Sequence, residues 1–263
     1  IGETLVLTLK TVGTVESPDG GRIGSGDGIF LFPRLSAISQ TCTKGLRHLN
    51  TEMNNIHLGT QHEHRDKVNT FVAQKKSKQQ FRVVDIGGAI YGWAWHNVDC
   101  LLDLVEPKCW AGNKFSGKFL GGDITTNQGW EELEKIVEEN GKFDFSICRH
   151  TIEDLTNPSL TCEKLSQISK AGFLAVPSKY TELKKGIYPE LPFTRGLHHH
   201  HWIFIHKDDK IYGLPKMGWT DSLPDESLGV DTSLGGCHDH PDTREIKQEF
   251  ACFWEGEIKI EFL

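Results

Sequence analysis

Between residues 81 and 177, short apolar runs alternate with segments of helical periodicity, and this alternation constrains the fold more than any other feature. Two of these segments have apolar residues at helical spacing, 130–140 and 158–169. Strands that alternate with helices predict an α/β fold, with a mostly parallel sheet covered by helices. The runs predicted as buried strands are 81–86, 98–103, 118–121, 143–148 and 172–176.

The flanking segments have different patterns. Residues 1–45 contain short extended runs separated by turn residues, and residues 45–80 have a helical composition, so 1–80 is predicted to be an N-terminal flank. After residue 186 the pattern predicts a hairpin over 202–212 and strands at 250–254 and 258–262. We therefore expect a core over 81–186 and a β-rich C-terminal extension over 187–263.

Charge and hydropathy exclude two classes of function. The net charge of −7 provides no overall basic field, so nucleic acid is not expected as the main partner. The longest apolar runs are far shorter than the roughly 20 residues that a bilayer span requires, so we expect no membrane span. The sequence leaves the oligomeric state open.

The cysteines and the first residue bear on the cellular context. Seven cysteines are scattered without a Cys-x-x-Cys pair, which favours free thiols, a reducing compartment and a cytoplasmic location. The chain begins at Ile1 without a signal pattern, so either a trimmed N-terminus or a longer parent polypeptide is expected.

The first predicted strand ends in an acid and a glycine turn. Asp85 stands at the strand tip, and Gly87, Gly88 and Ala89 follow it. Glycines at this position let a ligand approach the backbone, because they lack a side chain. In an open α/β sheet, ligands bind beyond the carboxyl ends of the strands, so this turn is a candidate binding site.

The next two strands end in acids at similar intervals. A carboxylate at Asp103 could accept hydrogen bonds from both hydroxyls of a ribose. Asp123 and Ile124 follow the third strand, where an acid and an apolar residue suit an adenine amino group and ring face. Together with the glycine turn, this order predicts an adenosine-containing cofactor.

This series resembles the class I S-adenosylmethionine-dependent methyltransferases. Residues 82–88 are similar to the glycine motif of that family, 122–124 to its adenine-side motif, and 150–158 to its histidine-and-acid segment. The resemblance covers about residues 80–186 and implies a Rossmann-like methyltransferase sheet with S-adenosylmethionine as cofactor. It implies these cofactor-binding residues: Asp85, Gly87, Gly88, Ala89, Asp103, Leu104, Asp123 and Ile124.

Two alternatives to a methyltransferase stay open. Residues 87–92 differ by one substitution from the G-x-G-x-x-G fingerprint of nicotinamide-dependent oxidoreductases. Ala89 occupies the position where the backbone must approach a pyrophosphate, and Asp85 would lie near the phosphate charge, so a sulfonium cofactor fits better. The second alternative is a non-catalytic domain that retains the fold, in which the glycines only make a turn.

His150 follows the fourth strand and is a candidate general base. An imidazole with an ordinary pKa near 6.5 can accept a proton from a hydroxyl at neutral pH. The alternative is a loop histidine that only shapes the pocket.

A run of four histidines, 198–201, leads into a predicted strand. Alternate residues of an extended chain share a face, so pairs of these histidines could converge on a metal ion or on a substrate hydroxyl, although a polar strand edge is an equal alternative. His199 or His200 is also similar to paired histidines before a tryptophan in some methyltransferases of glycan synthesis. This similarity implies that both are catalytic and that the partner is a small-molecule or glycan acceptor, methylated on a hydroxyl of a sugar or glycan; lipids, small phenols and peptides stay open as acceptors. We assign no metal.

Two further segments contain alternating metal-ligand types, Cys237 to His240 and His62 to His64. Both are short and lie in loop-like sequence, so we expect solvated loops. Aromatic residues concentrate in the last third of the chain, where flat rings beside a cleft would suit the apolar face of a sugar.

Overall fold

A computed structural model describes residues 4–8, 29–33, 56–90, 94–107, 115–207, 210–235 and 247–263. The chain divides into two compact units, residues 1–46 and 47–263. In the first unit, strands β1 (Thr4–Thr8) and β2 (Ile29–Pro33) form an antiparallel pair, as the extended runs near the N-terminus predict.

The second unit contains ten strands and four α-helices in the described residues. Its strands are β3 (Ile56–Gly59), β4 (Val83–Ile86), β5 (Cys100–Asp103), β6 (Lys118–Gly121), β7 (Phe145–Arg149), β8 (Ala171–Pro177), β9 (Trp202–Lys207), β10 (Lys210–Pro215), β11 (Glu249–Glu255) and β12 (Ile260–Phe262). Its helices are α1 (Gln61–Lys76), α2 (Glu131–Asn140), α3 (Pro158–Ile168) and α4 (Lys179–Glu182). Short 3-10 turns occur at Trp95–Asn97, Gln128–Trp130, Ile152–Asp154, Gly218–Ser222, Asp225–Ser227 and Thr232–Leu234.

The central sheet has seven strands in the order β3-β11-β8-β7-β4-β5-β6. The five strands from β8 to β6 are parallel, whereas β11 is antiparallel to β8 and to β3. The predicted α/β class with a Rossmann-like sheet is therefore confirmed. The chain leaves β4 toward β5 and β6, then returns to β7 on the other side of β4. This reversal creates a topological switch point between β4 and β7, where open α/β sheets bind ligands.

Both faces of the central sheet are covered. On one face, Val68 and Val72 of α1 pack with sheet residues that include Phe145 and Phe253. On the other, residues of α2, α3 and β9 pack against sheet residues that include Trp254. Successive sheet residues alternate between these two clusters, which explains why their strands are almost wholly apolar rather than half polar.

Helix α1 corrects the expectation that His62 and His64 lie in a solvated loop. Thr60 caps the helix: its hydroxyl accepts a hydrogen bond from the Glu63 N–H, and the Glu63 carboxylate accepts one from the Thr60 N–H. This reciprocal pair is a capping box, which satisfies two backbone donors at the helix start. His64 is consequently held on the buried side of the helix, whereas His62 is exposed.

The predicted C-terminal extension is divided between two sheets. Strands β9, β10 and β12 form a three-stranded sheet, but β11 lies within the central sheet between β3 and β8. Residues 249–254 of β11 are buried, and such a strand needs neighbours on both edges and cover on both faces. Residues 47–263 form one compact unit.

In the described part of the chain, every helix is too short or too polar to cross a bilayer. Cys100, Cys148, Cys162 and Cys252 are buried free thiols, as the cysteine pattern predicts. The segment Cys237 to His240 lies outside the described residues.

Candidate functional site

The glycine turn lies directly at the switch point. The N–H of Gly87 donates to the Leu102 carbonyl oxygen at 2.9 Å, and Gly87 has a φ of 78° that favours glycine. A Cβ at Gly87 would lie 2.5 Å from Thr151 Oγ1, and one at Gly88 would overlap the Asp85 carboxylate. The turn is therefore held tightly between Asp85 and Thr151, and both glycines are required for this approach.

Asp85 is buried beneath the turn, with 2% of its surface exposed. Burial and the negative charge of Asp103 raise the pKa of Asp85 to about 7, although the charge of Arg149 opposes this increase. Near neutral pH the side chain is thus divided between its acid and its carboxylate. A cationic ligand group bound nearby would favour the carboxylate form.

Asp103 supports the glycine turn from the end of β5. Its Oδ2 accepts the Ala89 N–H at 2.9 Å, and its Oδ1 accepts the Val105 N–H at 3.0 Å. Each oxygen retains a second lone pair, so the carboxylate can still accept hydrogen bonds from a ligand. Leu104, the neighbouring predicted residue, is 72% exposed.

The strands β4, β5, β6 and β7, whose ends the sequence predicts to converge, end at matching positions of the sheet register. In the register, Ile86 pairs with both Leu102 and Cys148, and Asp103 pairs with Gly121. The Gly122 N–H also donates to the Asp103 carbonyl oxygen at 3.0 Å. These contacts place the glycine turn and the ends of β5 and β6 along one edge.

Asp123 and Ile124 follow β6 but have different surroundings. The Asp123 Oδ1 accepts the N–H and hydroxyl of Thr125 at 2.9 and 2.6 Å, and these hydrogen bonds lower the pKa of this exposed carboxyl. The Ile124 side chain packs in the core, and its carbonyl oxygen accepts Trp130 Nε1–H at 3.0 Å. The Asp123 side chain is therefore accessible to a ligand, whereas the Ile124 side chain belongs to the hydrophobic core next to it.

His150 lies at the other side of the switch point, in an unusual backbone conformation with a φ of 49°. Its Nε2 lies 2.7 Å from Glu249 Oε2, and its Nδ1 lies 3.2 Å from Glu153 Oε1. Burial would lower the pKa of His150, but the hydrogen bonds to Glu153 and Glu249 outweigh it and raise the pKa to about 9. The ring is therefore protonated at neutral pH, which does not favour the predicted role as a base.

Glu249 is the centre of a buried ionic network that the sequence analysis did not identify. Besides His150, its carboxylate contacts His64 Nδ1 at 2.8 Å and Arg149 Nη2 at 3.0 Å. Burial opposes ionisation of this residue, but the hydrogen bonds from His150 and His64 and the charge of Arg149 hold the pKa of Glu249 well below its usual range. The network connects α1, β7 and β11 at the carboxyl edge of the sheet.

The two predicted catalytic histidines of the 198–201 run meet an acid from the segment after β7. Asp154 Oδ1 lies 3.8 Å from His199 Nε2 and 3.6 Å from His200 Nε2. The His201 N–H donates to the Glu153 carbonyl oxygen at 2.7 Å, which fixes the run against this segment. We call Asp154, His199 and His200 the histidine cluster.

The members of the histidine cluster have different electrostatic surroundings. Burial and the charges of the neighbouring histidines lower the pKa of His199. Burial also acts to lower the pKa of His200, but the hydrogen bond to Glu182 outweighs this effect, so the pKa of His200 is raised. Burial and the charge of Glu153 raise the pKa of Asp154 to about 6.

One short segment connects the glycine turn to the histidine cluster. Thr151 packs against Gly87, and Asp154, three residues later, faces His199 and His200. The site therefore has two neighbouring parts, a crevice at the switch point and a cluster of nitrogen and oxygen donors beside it. Asp154 belongs to the histidine-and-acid segment 150–158 that the sequence indicated, without a role of its own, and Glu182 has no local sequence signal.

The sequence matches no protein-family model and no curated protein. Several solved structures are similar in part. The magnesium protoporphyrin IX methyltransferase (ChlM) of Synechocystis, solved with bound SAM, is 11% identical, with 55% of this chain and 70% of that chain covered and a TM-score of 0.33. A structure of the complex with the Haloferax volcanii Trm112 methyltransferase activator is 13% identical, with 74% of this chain and 93% of that chain covered and a TM-score of 0.35.

WbdD is 15% identical, with 72% of this chain and 39% of that chain covered and a TM-score of 0.34. Similarities at these levels assign no activity to this chain.

Proposed function

We propose that this chain is an S-adenosylmethionine-dependent methyltransferase that methylates a hydroxyl group of a small molecule or glycan. The observation that supports it best is the crevice at the switch point, where the Gly87 turn is held between Asp85 and Thr151 beside the Asp103 carboxylate. When bound, the cofactor supplies an electrophilic methyl group on a positively charged sulfur.

The residues of the crevice fit this cofactor. The free lone pairs of Asp103 suit the hydroxyls of a ribose, and the exposed Asp123 suits an adenine amino group. The turn at Gly87 and Gly88 brings main chain rather than side chains to the ligand. Asp85, buried with a raised pKa, is an acid that a cationic centre would stabilise in its charged form.

The same crevice is unfavourable for a nicotinamide dinucleotide. The Ala89 N–H, which a pyrophosphate would need, donates to Asp103. In the described residues between β4 and β5, the helical element is the short 3-10 turn Trp95–Asn97. Dinucleotide folds instead place the pyrophosphate at the N-terminus of an α-helix that directly follows the glycines.

We assign the acceptor to the histidine cluster. Its imidazole nitrogens and carboxylate can accept a hydrogen bond from a hydroxyl and remove the proton, a contribution of about 10²–10⁴-fold in typical enzymes. In the transfer, an oxygen lone pair forms the new O–C bond, the C–S bond breaks with its electron pair left on sulfur, and the acceptor proton passes to the cluster. His150, held between Glu153 and Glu249, has a positioning role for the segment that carries Asp154.

A sugar is the acceptor class we favour. Phe193 and Trp219 expose 80% and 52% of their surfaces in the segments on either side of the histidine run. Exposed aromatic faces suit the apolar face of a sugar ring. We also propose a cytoplasmic location, which the buried free thiols support.

Transfer from a methyl-labelled donor to a panel of glycans and small hydroxyl compounds tests this proposal. We expect product with at least one acceptor, and a decrease of at least about tenfold in turnover when both His199 and His200 are changed to Ala. Donor affinity should remain within a few-fold in that variant. Full turnover in the double variant would show that the acceptor lies elsewhere, and wild-type inactivity with every acceptor would favour a non-catalytic domain.

A further inference from the structure

Three potential metal-ligand atoms converge at the histidine cluster. One potential ligand atom from each of Asp154, His199 and His200 lies within 4.8 Å of the other two. Adjacent ligands of a tetrahedral or octahedral ion, bound at about 2.0–2.2 Å, are separated by about 2.8–3.6 Å. The observed separations of 3.6 and 3.8 Å between Asp154 and the two histidines are close to this range.

His200 has the environment of a metal-binding histidine. Its side chain is 4% exposed, and its Nδ1 lies 2.6 Å from Oε1 of the fully buried Glu182. With Nδ1–H donated to this carboxylate, the lone pair of Nε2 is directed toward Asp154. A carboxylate on the remote nitrogen of a ligating histidine fixes both tautomer and orientation, and raises its basicity.

Glu182 also fixes the backbone that leads into the histidines. Lys216 Nζ lies 2.7 Å from Glu182 Oε2 and donates to the Leu197 carbonyl oxygen at 2.8 Å. A Cβ at Gly196 would lie 2.5 Å from Glu182 Oε2, so the chain passes directly over this carboxylate. The position of His200 is therefore defined by a preformed buried support rather than by a mobile loop.

The other two members leave the cluster accessible. The side chains of Asp154 and His199 are 42% and 48% exposed, so an ion can enter from solvent and these side chains can adjust to it. Two imidazoles and one carboxylate favour zinc, iron or cobalt over magnesium or calcium, which prefer oxygen ligands alone.

We propose that Asp154, His199 and His200 bind one divalent transition-metal ion, with Glu182 as the residue that positions His200. Three protein ligands leave at least one coordination position open, as in catalytic metal sites. Its use in methyl transfer rests on the proposed function: an acceptor hydroxyl bound at the open position would lose its proton more easily, and the carboxylate oxygen of Asp154 that does not bind the ion would accept this proton in place of the metal-bound imidazoles.

Cobalt titration of the full chain, after dialysis against a chelator, tests the metal site without any methyl donor. We expect visible absorption bands of low-symmetry Co²⁺ that saturate at one equivalent, and displacement of cobalt by zinc. His200→Asn and Asp154→Asn should lose the bands, whereas His201→Asn, which changes an exposed neighbour, should retain them. A double variant, His238→Asn with His240→Asn, should also retain the bands, which would exclude these two histidines as the cobalt ligands.

The variant Glu182→Gln tests whether Glu182 positions His200 or only supports folding. We expect cobalt to bind about 10–100-fold more weakly, with altered band positions, because the remote hydrogen bond to His200 is weakened. Thermal unfolding in excess chelator shows whether the variant is folded, and His199→Asn provides a second, exposed test if it is not. Absence of the bands in wild type, or bands in His200→Asn equal to wild type, would overturn the metal site.

The two proposals fail separately. A protein that binds cobalt but transfers no methyl group retains the metal site and contradicts the proposed function. A protein that transfers methyl groups equally well in excess chelator and shows no cobalt bands retains the proposed function and contradicts the metal site.

Discussion

His150 Nε2 lies 2.7 Å from Glu249 Oε2, although the two residues are 99 positions apart in the chain. This contact joins the segment after β7, on which Thr151 and Asp154 lie, to the antiparallel strand β11. The shape of the candidate site therefore depends on a strand that enters the central sheet last.

The raised pKa of His150 makes stability depend on pH. In the folded chain the pKa of His150 is about 9, whereas the pKa of an unfolded histidine is near 6.5. The contribution of His150 to the free energy of unfolding is therefore complete below about pH 6.5 and lost as the pH rises through about 9. In His150→Gln we expect the free energy of unfolding at pH 6 to decrease by about 1–3 kcal/mol.

Urea unfolding at pH 6, 7.5 and 9 measures this effect. The difference between wild type and His150→Gln should become smaller as the pH rises. His206→Gln, which changes an exposed histidine on β9, serves as the control and should follow wild type. A constant difference between wild type and His150→Gln across this range would show that His150 is not the titrating group.

Alanine substitutions at Gly87 and Gly141 should differ sharply in their effects on stability and on donor binding. Gly87 and Gly141 have similar positive φ values, 78° and 75°, but only the Cβ of an alanine at 87 would meet another side chain, Thr151. Gly141, at φ 75° and ψ 173°, lies in a region that glycine almost exclusively occupies, so Gly141→Ala should cost about 1–3 kcal/mol of backbone strain. Gly87→Ala should cost about 2 kcal/mol more and weaken donor binding at least about tenfold. Equal effects of the two substitutions on stability and binding would contradict the close packing of the turn.

Asp85 predicts a pH dependence of donor binding. Its pKa of about 7 in the folded protein lies above the unfolded value near 3.9, so burial of this acid costs stability that increases as the pH rises from about 3.9 to about 7. A positively charged donor offsets that cost, and its affinity should increase about 3–10-fold between pH 6 and 8. Calorimetric titration of Asp85→Asn should show a flat profile, whereas Asp123→Asn should keep the slope.

Much of this fold is predictable from local pattern. The apolar runs that end at Asp103 and Gly121 become β5 and β6, and the glycine turn and Asp103 meet at one edge because parallel strands align their carboxyl ends. Helix α1 also has a local signal, since Thr60 and Glu63 form the S/T-x-x-E pattern of a capping box.

Contacts between distant segments could not be predicted in the same way. The strand β11 has a strongly apolar sequence, but nothing in that sequence specifies that it joins the central sheet rather than a C-terminal hairpin. The same limit applies to Glu249 and Glu182, whose partners His150 and His200 are 99 and 18 residues away. Burial and pairing of such acids depend on tertiary packing, which also changes the pKa of His150 from that of an isolated imidazole.

The carboxylate of Asp103 predicts a specific loss of affinity. Asp103→Ala removes the acceptor for ribose hydroxyls and the support for the Ala89 N–H, and donor binding should weaken by about 1.5–3 kcal/mol. Glu132→Ala, an exposed acid on α2, is the matched control and should bind as wild type. Unchanged affinity in Asp103→Ala, measured by calorimetry, would remove the assignment of the ribose to this residue.

The most direct measurement is a parallel titration of the purified wild-type chain with S-adenosylmethionine, its demethylated product S-adenosylhomocysteine, and NAD. The Ala89 N–H is committed to Asp103, and the buried Asp85 lies beneath the turn, so both features favour a ligand with a positive centre and no phosphate. We predict saturable one-to-one binding of both sulfur compounds and no binding of NAD at the same concentrations. Binding of NAD in preference to both sulfur compounds would contradict the account.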